Sequence, residues 1–248
     1  MSRRSPLALA GLVVLGGAAG LAFLFLRGAP PPAVGVATGS PGASLPAASV
    51  GALPTGAAGT LGPDGLDGTW TVDTSIGSFA DFSSSFVGYR VDETFADNRA
   101  NTAVGRTPSV LGSLILAGAS ITSVEITADL TQLESDDDRR DGRLRDQAIE
   151  TGRFPQSTFR LTGPIELGEA PADGKTVDAT ATGELTLHGV TRTVIVPVQA
   201  SLSGDVVTVT GSIEILFADY DFERPTSFLV LSIEDHGIME FQLHFRRG

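Results

Sequence analysis

From about residue 66 to the C-terminus, apolar and polar residues alternate with a period of two. This spacing puts alternate side chains on opposite faces of an extended strand and does not suit a helix. In SITSVEITADL (120–130), Val124, Ile126, Ala128 and Leu130 share one face against Glu125, Thr127 and Asp129. In DVVTVTGSIEILF (205–217), Val207, Val209, Gly211, Ile213, Ile215 and Phe217 oppose Thr208, Thr210, Ser212 and Glu214. Further strands are predicted at 69–74, 84–93, 109–117, 157–167, 175–187, 191–203 and 241–245, most of them bounded by Gly, Pro, Asn or Asp. About eight to ten strands with short connections imply an all-β fold, an antiparallel sandwich or a closed barrel. One segment breaks the rule. In SDDDRRDGRLRDQAIETGRFP (135–155), Leu144, Ala148 and Ile149 fall at helical spacing before Pro155, which predicts a single amphipathic helix over 139–150.

Ahead of this domain the pattern changes twice. Residues 7–26, LALAGLVVLGGAAGLAFLFL, are 20 consecutive uncharged residues, and a helix of that length spans roughly 30 Å, the hydrocarbon thickness of a bilayer. Arg3 and Arg4 precede the run and Arg27 follows it, so the positive-inside bias favours a cytoplasmic segment 1–6, a transmembrane signal anchor at 7–26 and an exported remainder. A cleaved signal peptide is the competing reading, although its apolar core is usually shorter and ends at small residues rather than FLFL. Residues 28–65 are dominated by Ala, Gly, Pro, Ser and Thr and hold no charge before Asp64. Such a stretch has too little to bury and is expected to be a disordered linker, with an end-to-end distance of about 35 Å. The residues from 66 to 248 are long enough for one domain with a single core.

All 29 acidic residues lie from Asp64 onward against 14 basic ones after Arg27, giving the exported part a net charge of −15. A body this acidic is a poor partner for nucleic acid or anionic headgroups. With no cysteine in the chain, disulfides, thiolate metal sites and cysteine nucleophiles are excluded. The three histidines carry no catalytic pattern. His188 stands at a strand end before Gly189, as a turn residue would; His236 lies in the polar stretch EDHG; His244 alternates with Phe241, Leu243 and Phe245 and is expected at the surface. Asp136, Asp137, Asp138 and Asp141 lack the D-x-D-x-D-G spacing of a calcium loop. Acids at a helix N-terminus are favoured by its dipole, which accounts for them without a metal. The acids of ADYDFERP (218–225) read as a solvated rim. No metal and no cofactor are expected.

What remains is the apolar interior, which side chains can fill or which can hold one small ligand. Glycines at 88, 112, 183 and 211 interrupt the strand pattern and either bend the sheet or leave room inside. At this point six segments taken in order, TWTVDT (69–74), SFVGYRV (85–91), AVGRT (103–107), SDDDRRDGRL (135–144), RFPQSTF (153–159) and GELTLHGVTRTV (183–194), resemble the YceI-like family. The resemblance covers about 69–247. It implies a lipocalin-like antiparallel β-barrel with one short helix, enclosing a polyisoprenoid or isoprenoid quinone without catalysing a reaction. It implies that His188 shapes a hairpin. The chain departs from the family in having Glu93 where many members have a histidine, and in its predicted anchor and linker, which suggest an actinobacterial-type member displayed at the cell membrane.

The inward set implied by alternation and resemblance together is Val87, Tyr89, Val91, Val124, Ile126, Phe159, Leu185, Leu187, Val209, Ile213 and Phe217, with Phe154 closing the mouth. The expected partners are the apolar ligand and the plasma membrane through 7–26, with a homodimer left open. Two other functions stay open on the sequence: a filled barrel serving as a protein-interaction module, and a lipid-modifying enzyme.

Overall fold

The computed structural model describes residues 30–34, 65–224 and 230–248. The expected membrane segment at 7–26 and most of the expected linker lie outside these residues; among the described ones, no helix is long and apolar enough to cross a membrane. The fold described here is that of the compact unit Pro32–Gly248.

Thirteen strands form one antiparallel sheet. In chain order they are β1 (Gly68–Val72), β2 (Phe86–Phe95), β3 (Ala100–Thr107), β4 (Val110–Ala117), β5 (Ser120–Asp129), β6 (Glu134–Ser135) and β7 (Gln156–Leu161). They continue with β8 (Ile165–Glu166), β9 (Thr176–Leu187), β10 (Val190–Ser203), β11 (Val206–Leu216), β12 (Val230–Ile233) and β13 (His236–Arg247). Eight of them, in the order β1, β4, β5, β7, β9, β10, β11 and β13, make a ring, because β13 returns to β1 with Val72 opposite Phe245 and Trp70 opposite Arg247. Closure leaves these strands no free edge and gives the alternating pattern an inside. Trp70, Val110, Leu114, Leu243 and Phe245 are all buried there, and the Trp70 indole N–H donates to the Leu66 carbonyl at 3.0 Å.

Strand β13 is long enough to serve two partners. Its last residues pair with β1, while Ile238 to Gln242 pair with β2, which continues into β3 and β6. Strand β3, ANTAVGRT, has no alternation, which is why period two alone does not find it. The helix expected over 139–150 is shorter and split: α1 (Asp138–Arg143) passes into a single π-helical turn at Leu144–Ala148. Its acids have local work. The Asp137 carboxylate accepts from the amides of Arg139 and Arg140 as an N-cap, and the buried Asp141 carboxylate accepts from the Ser135 amide at 3.0 Å and hydroxyl at 2.6 Å.

An ionic cluster lies on the outer face of β2, β3 and β13. Glu240, Gly88 and Arg106 are successive partners across these strands. Glycine is needed between the two charged residues, since a Cβ there would stand 2.6 Å from Arg106 Cγ. Glu240 Oε1 accepts from Arg106 Nη2 at 2.7 Å and Oε2 accepts from Arg90 Nε at 2.7 Å. Exposures of 1% for Glu240 and 3% for Arg106 put the pair out of water. The Arg106 guanidinium stacks on Phe86 and Phe82 at 4.2 and 4.5 Å from the ring centroids.

Two segments seal this cluster. The loop between β1 and β2 folds over the outer face, where Gln242 donates to the carbonyls of Phe82 and Ser84. His244 is therefore buried rather than at the surface: its Nε2 meets the Ser83 carbonyl at 2.8 Å and its Nδ1 the Thr208 hydroxyl at 2.9 Å. The second segment comes from the expected linker. The Pro32 carbonyl accepts from Arg106 Nη2 at 3.0 Å, and the Val34 amide donates to Glu240 Oε2 at 3.3 Å. At these described residues the chain is seated on the barrel.

Removing one partner of a buried ionic cluster leaves the others uncompensated, at a cost of about 3–5 kcal/mol. Glu240→Ala is expected to lower stability by that amount in denaturant unfolding. A loss below about 1 kcal/mol would mean that the cluster is solvated in solution.

Candidate functional site

Two cavities lie on the apolar side of the sheet. The first, of about 160 Å³, lies among the ring strands and is lined by Trp70, Val124, Ile126, Phe159, Leu185, Val209 and Phe241 among others. The second, of about 150 Å³, lies toward β2, β3 and α1, with Tyr89, Val91, Leu133, Leu187, Phe217 and Phe222 in its wall. Val87, Ser157 and Met239 border both, so the two chambers meet at these three side chains. Apolar cavities of about 150 Å³ stay dry and accept small apolar molecules.

Of the residues named from sequence, Val124, Ile126, Phe159, Leu185 and Val209 line the first chamber, Tyr89, Val91, Leu187 and Phe217 the second, and Val87 both. Ile213 and Phe154 line neither. Ile213 packs into clusters around Val196 and around Leu185 with Ile215. Phe154 stands edge-on to His188 with ring centroids 4.4 Å apart, under the Arg153 guanidinium. The interior glycines are spaces occupied by rings: a Cβ at Gly183 would stand 2.4 Å from Phe159 Cζ, and one at Gly211 2.4 Å from Phe241 Cζ. Met239 falls outside the strand predicted at 241–245 but inside β13. Carried two residues further back, the same alternation puts Met239 with Phe241, Leu243 and Phe245 and sets Glu240 on the opposite face. Arg140 carried no periodic signal, since it reaches the second chamber from α1.

The second chamber has a polar end. Glu93, in β2, accepts from Asn101 Nδ2 at 2.7 Å and from Arg140 Nη2 at 3.2 Å. Arg140 also donates to Asp136 and to the Ser135 hydroxyl, and these carboxylates hold its pKa above the usual arginine value despite burial. Beside this pair stands Tyr89. Its ring lies across Gly105, where a Cβ would be 2.4 Å from Cε1. Its hydroxyl is buried without a hydrogen-bond partner among the described residues. Burial pushes the Tyr89 pKa far up, so the phenol stays protonated.

No histidine lines either chamber among the described residues. His188 forms the β9–β10 turn with Gly189, at φ of 51° and 75°, the left-handed pair that a two-residue hairpin demands. Its Nδ1 faces the Tyr220 carbonyl at 3.0 Å and its Nε2 faces Glu150 at 2.9 Å, between the rings of Phe154 and Phe222. The hydrogen bonds from His188 and Arg153 hold the Glu150 carboxyl below its usual range. In the segment expected as a solvated rim, Asp219, Asp221 and Glu223 are exposed, while the 3₁₀ turn Phe217–Tyr220 buries Tyr220 against Leu185 and Ile215. One group that could present ligand atoms to a metal occurs among the described residues, Glu234, Asp235 and His236; it is at the surface and lines neither chamber, although the flanking Ile233 and Gly237 line the second.

Residues 70–245 match the family model of the YceI-like domain. A polyisoprenoid binding domain from Saccharophagus degradans has the same fold, with a TM-score of 0.55 and 18% identity over 73% of this chain and 99% of that one. BcnA of Burkholderia cenocepacia aligns over 63% of this chain and 95% of its own, at 20% identity and a TM-score of 0.48. A UPF0312 protein of Vibrio parahaemolyticus is 27% identical over 120 residues, which are 46% of this chain and only 60% of that protein's length.

The placement of His188 gives it a structural role that can be separated from binding. His188→Ala removes one buried and one part-buried hydrogen bond and puts alanine at a positive φ, together worth about 2–4 kcal/mol. The expected outcome is a melting temperature lower by several degrees with ligand occupancy retained. Loss of occupancy at unchanged stability would return His188 to the functional site.

Proposed function

The chain belongs to the YceI-like family, and we propose that its barrel binds and carries an apolar isoprenoid-type lipid, such as a polyisoprenoid or an isoprenoid quinone, without altering it chemically. The observation that carries this reading is the pair of adjoining chambers with mostly apolar walls, bordered in common by Val87, Ser157 and Met239. The likeness in fold to a polyisoprenoid binding domain supports it. At about 25 cal/mol per Å², covering roughly 400 Å² of ligand contributes about 10 kcal/mol, on the scale of micromolar binding after part is lost to ordering. A charged partner is not required.

Location enters through the sequence. With residues 7–26 as an uncleaved anchor and Arg3 and Arg4 on the cytoplasmic side, the barrel stands outside the cell membrane, within reach of the bilayer from which such a ligand must come. Catalysis is disfavoured by the placement of the histidines, which turn a hairpin or pack on the outer face and the surface rather than face the cavities.

Purification of the full chain in polymer nanodiscs from a bacterial host, followed by native and denaturing mass spectrometry of one sample, tests the reading. A releasable apolar mass, with the mass of the protein itself unchanged, is the expected outcome. A protein that stays empty after incubation with isoprenoid quinones and polyprenyl lipids would overturn it in favour of a filled barrel that meets a protein partner.

A further inference from the structure

We infer that residues 32–34 are a strap that divides the tether in two and leaves the barrel on a short arm. The seat stands on the barrel alone; its consequence for reach rests on the membrane anchor proposed above.

The inference starts from what the seat is made of. Pro32 and Val34 offer main-chain groups, a carbonyl and an amide two residues apart. Both meet buried charges of the outer-face cluster: the carbonyl accepts from Arg106 Nη2 at 3.0 Å and the amide donates to Glu240 Oε2 at 3.3 Å. Hydrogen bonds to charged partners are the strong ones. Three prolines in a row, 30–32, lead into this contact. Proline fixes φ, so the segment arrives with little backbone freedom left to lose.

The chain is held a second time where it enters the barrel. Arg247 donates to the carbonyls of Gly65 and Asp67, and the Asp67 carboxylate accepts from the Gly118 amide at 2.7 Å. With both points held, the 30 residues from 35 to 64 close a loop on the barrel and add nothing to its reach. What separates the barrel from the predicted span at 7–26 is then residues 27–31, at most about 20 Å when fully extended. Without the seat it is the whole of 28–65, a coil of about 35 Å with a far longer contour. The strap is also releasable. Closing the loop costs entropy that rises slowly with its length, and two hydrogen bonds to charged groups offset that cost by a similar amount. Release leaves Glu240 paired with Arg90 and Arg106, so the arm lengthens while the cluster keeps its ion pairs.

The chain has no cysteine, so introduced cysteines take labels cleanly. The full chain with Ala33→Cys and Thr193→Cys carries spin labels on the strap and on an exposed position of β10, and double electron–electron resonance in polymer nanodiscs reads the distance between them. A seated strap gives one narrow distance. Val34→Pro in the same background removes the amide proton that Glu240 accepts. It is expected to spread the distance over about 30 Å, the coil dimension of the chain then free ahead of Gly65. Val34→Ala keeps the amide and should stay narrow. In parallel, energy transfer from a dye on Thr193→Cys to acceptor-labelled phospholipid in the nanodisc should fall with Val34→Pro and hold with Val34→Ala. A broad distance in the parent, or a Val34→Pro variant as narrow as the parent, overturns the strap. A spread distance with unchanged energy transfer overturns the short arm. A chain that the nanodisc does not retain overturns the anchor and the short arm with it. None of these outcomes touches lipid binding, which the released mass decides.

Discussion

The pairing of β13 with β1, three residue pairs around Thr71 and Arg246, is the contact on which the rest of the structure depends. An antiparallel sheet with one apolar face must cover that face or close on itself. Here the last strand meets the first, and a face that would need a second layer becomes an interior. The two chambers exist because the enclosed side chains do not fill the space, and their walls are mostly apolar because the inward residues of the ring strands, joined by those of β2 and β3, supply them. Without this ladder the apolar face of β11 and the long hairpin of β9 and β10 would be exposed, as would both edges of the sheet.

Much of this was readable beforehand, and for a physical reason. Period two decides the face of each residue, so β4, β5, β7, β9, β10 and β11 follow from alternation, and the inward residues from alternation and the family resemblance together. The failures are equally specific. Strand β3 is held by its neighbours rather than by its own pattern, and its glycine exists to take the Tyr89 ring. His244 does alternate to the outer face, but the loop from β1 to β2 returns over that face and buries it, a tertiary event without local signal. Glu240 looks like an ordinary outward acid in MEFQLHF. Its burial depends on Arg90 and Arg106, more than 130 residues earlier in the chain.

The charges are divided in a way that serves the interior. Strands β2, β3 and β13 carry a cavity wall on one face and a buried ionic cluster on the other. Glu240, Arg90 and Arg106 stabilise one another only while water is kept away, and the covering loop and residues 32–34 do this from outside. Net stabilisation by such a cluster is small against an apolar alternative, but its geometry is demanding. Gly88 must be small, Arg106 must lie over it, and the stacked Phe82 and Phe86 must face the guanidinium. The cluster therefore fixes the position of the strands that hold Val87 and Tyr89 on their other side, and so the wall they give the second chamber.

A sequence that specifies one fold satisfies its buried polar groups nearly everywhere, and exceptions gather where the molecule meets something else. Among the described residues those exceptions are the hydroxyls of Tyr89 and Tyr220. A ligand held by hydrocarbon contact gives up little specific interaction on leaving, so the main barrier to release is the exposure of its tail to water. Delivery into a bilayer avoids that exposure and delivery into solution does not. A carrier built this way works best beside a membrane, and the proposed anchor ahead of the barrel would supply that position.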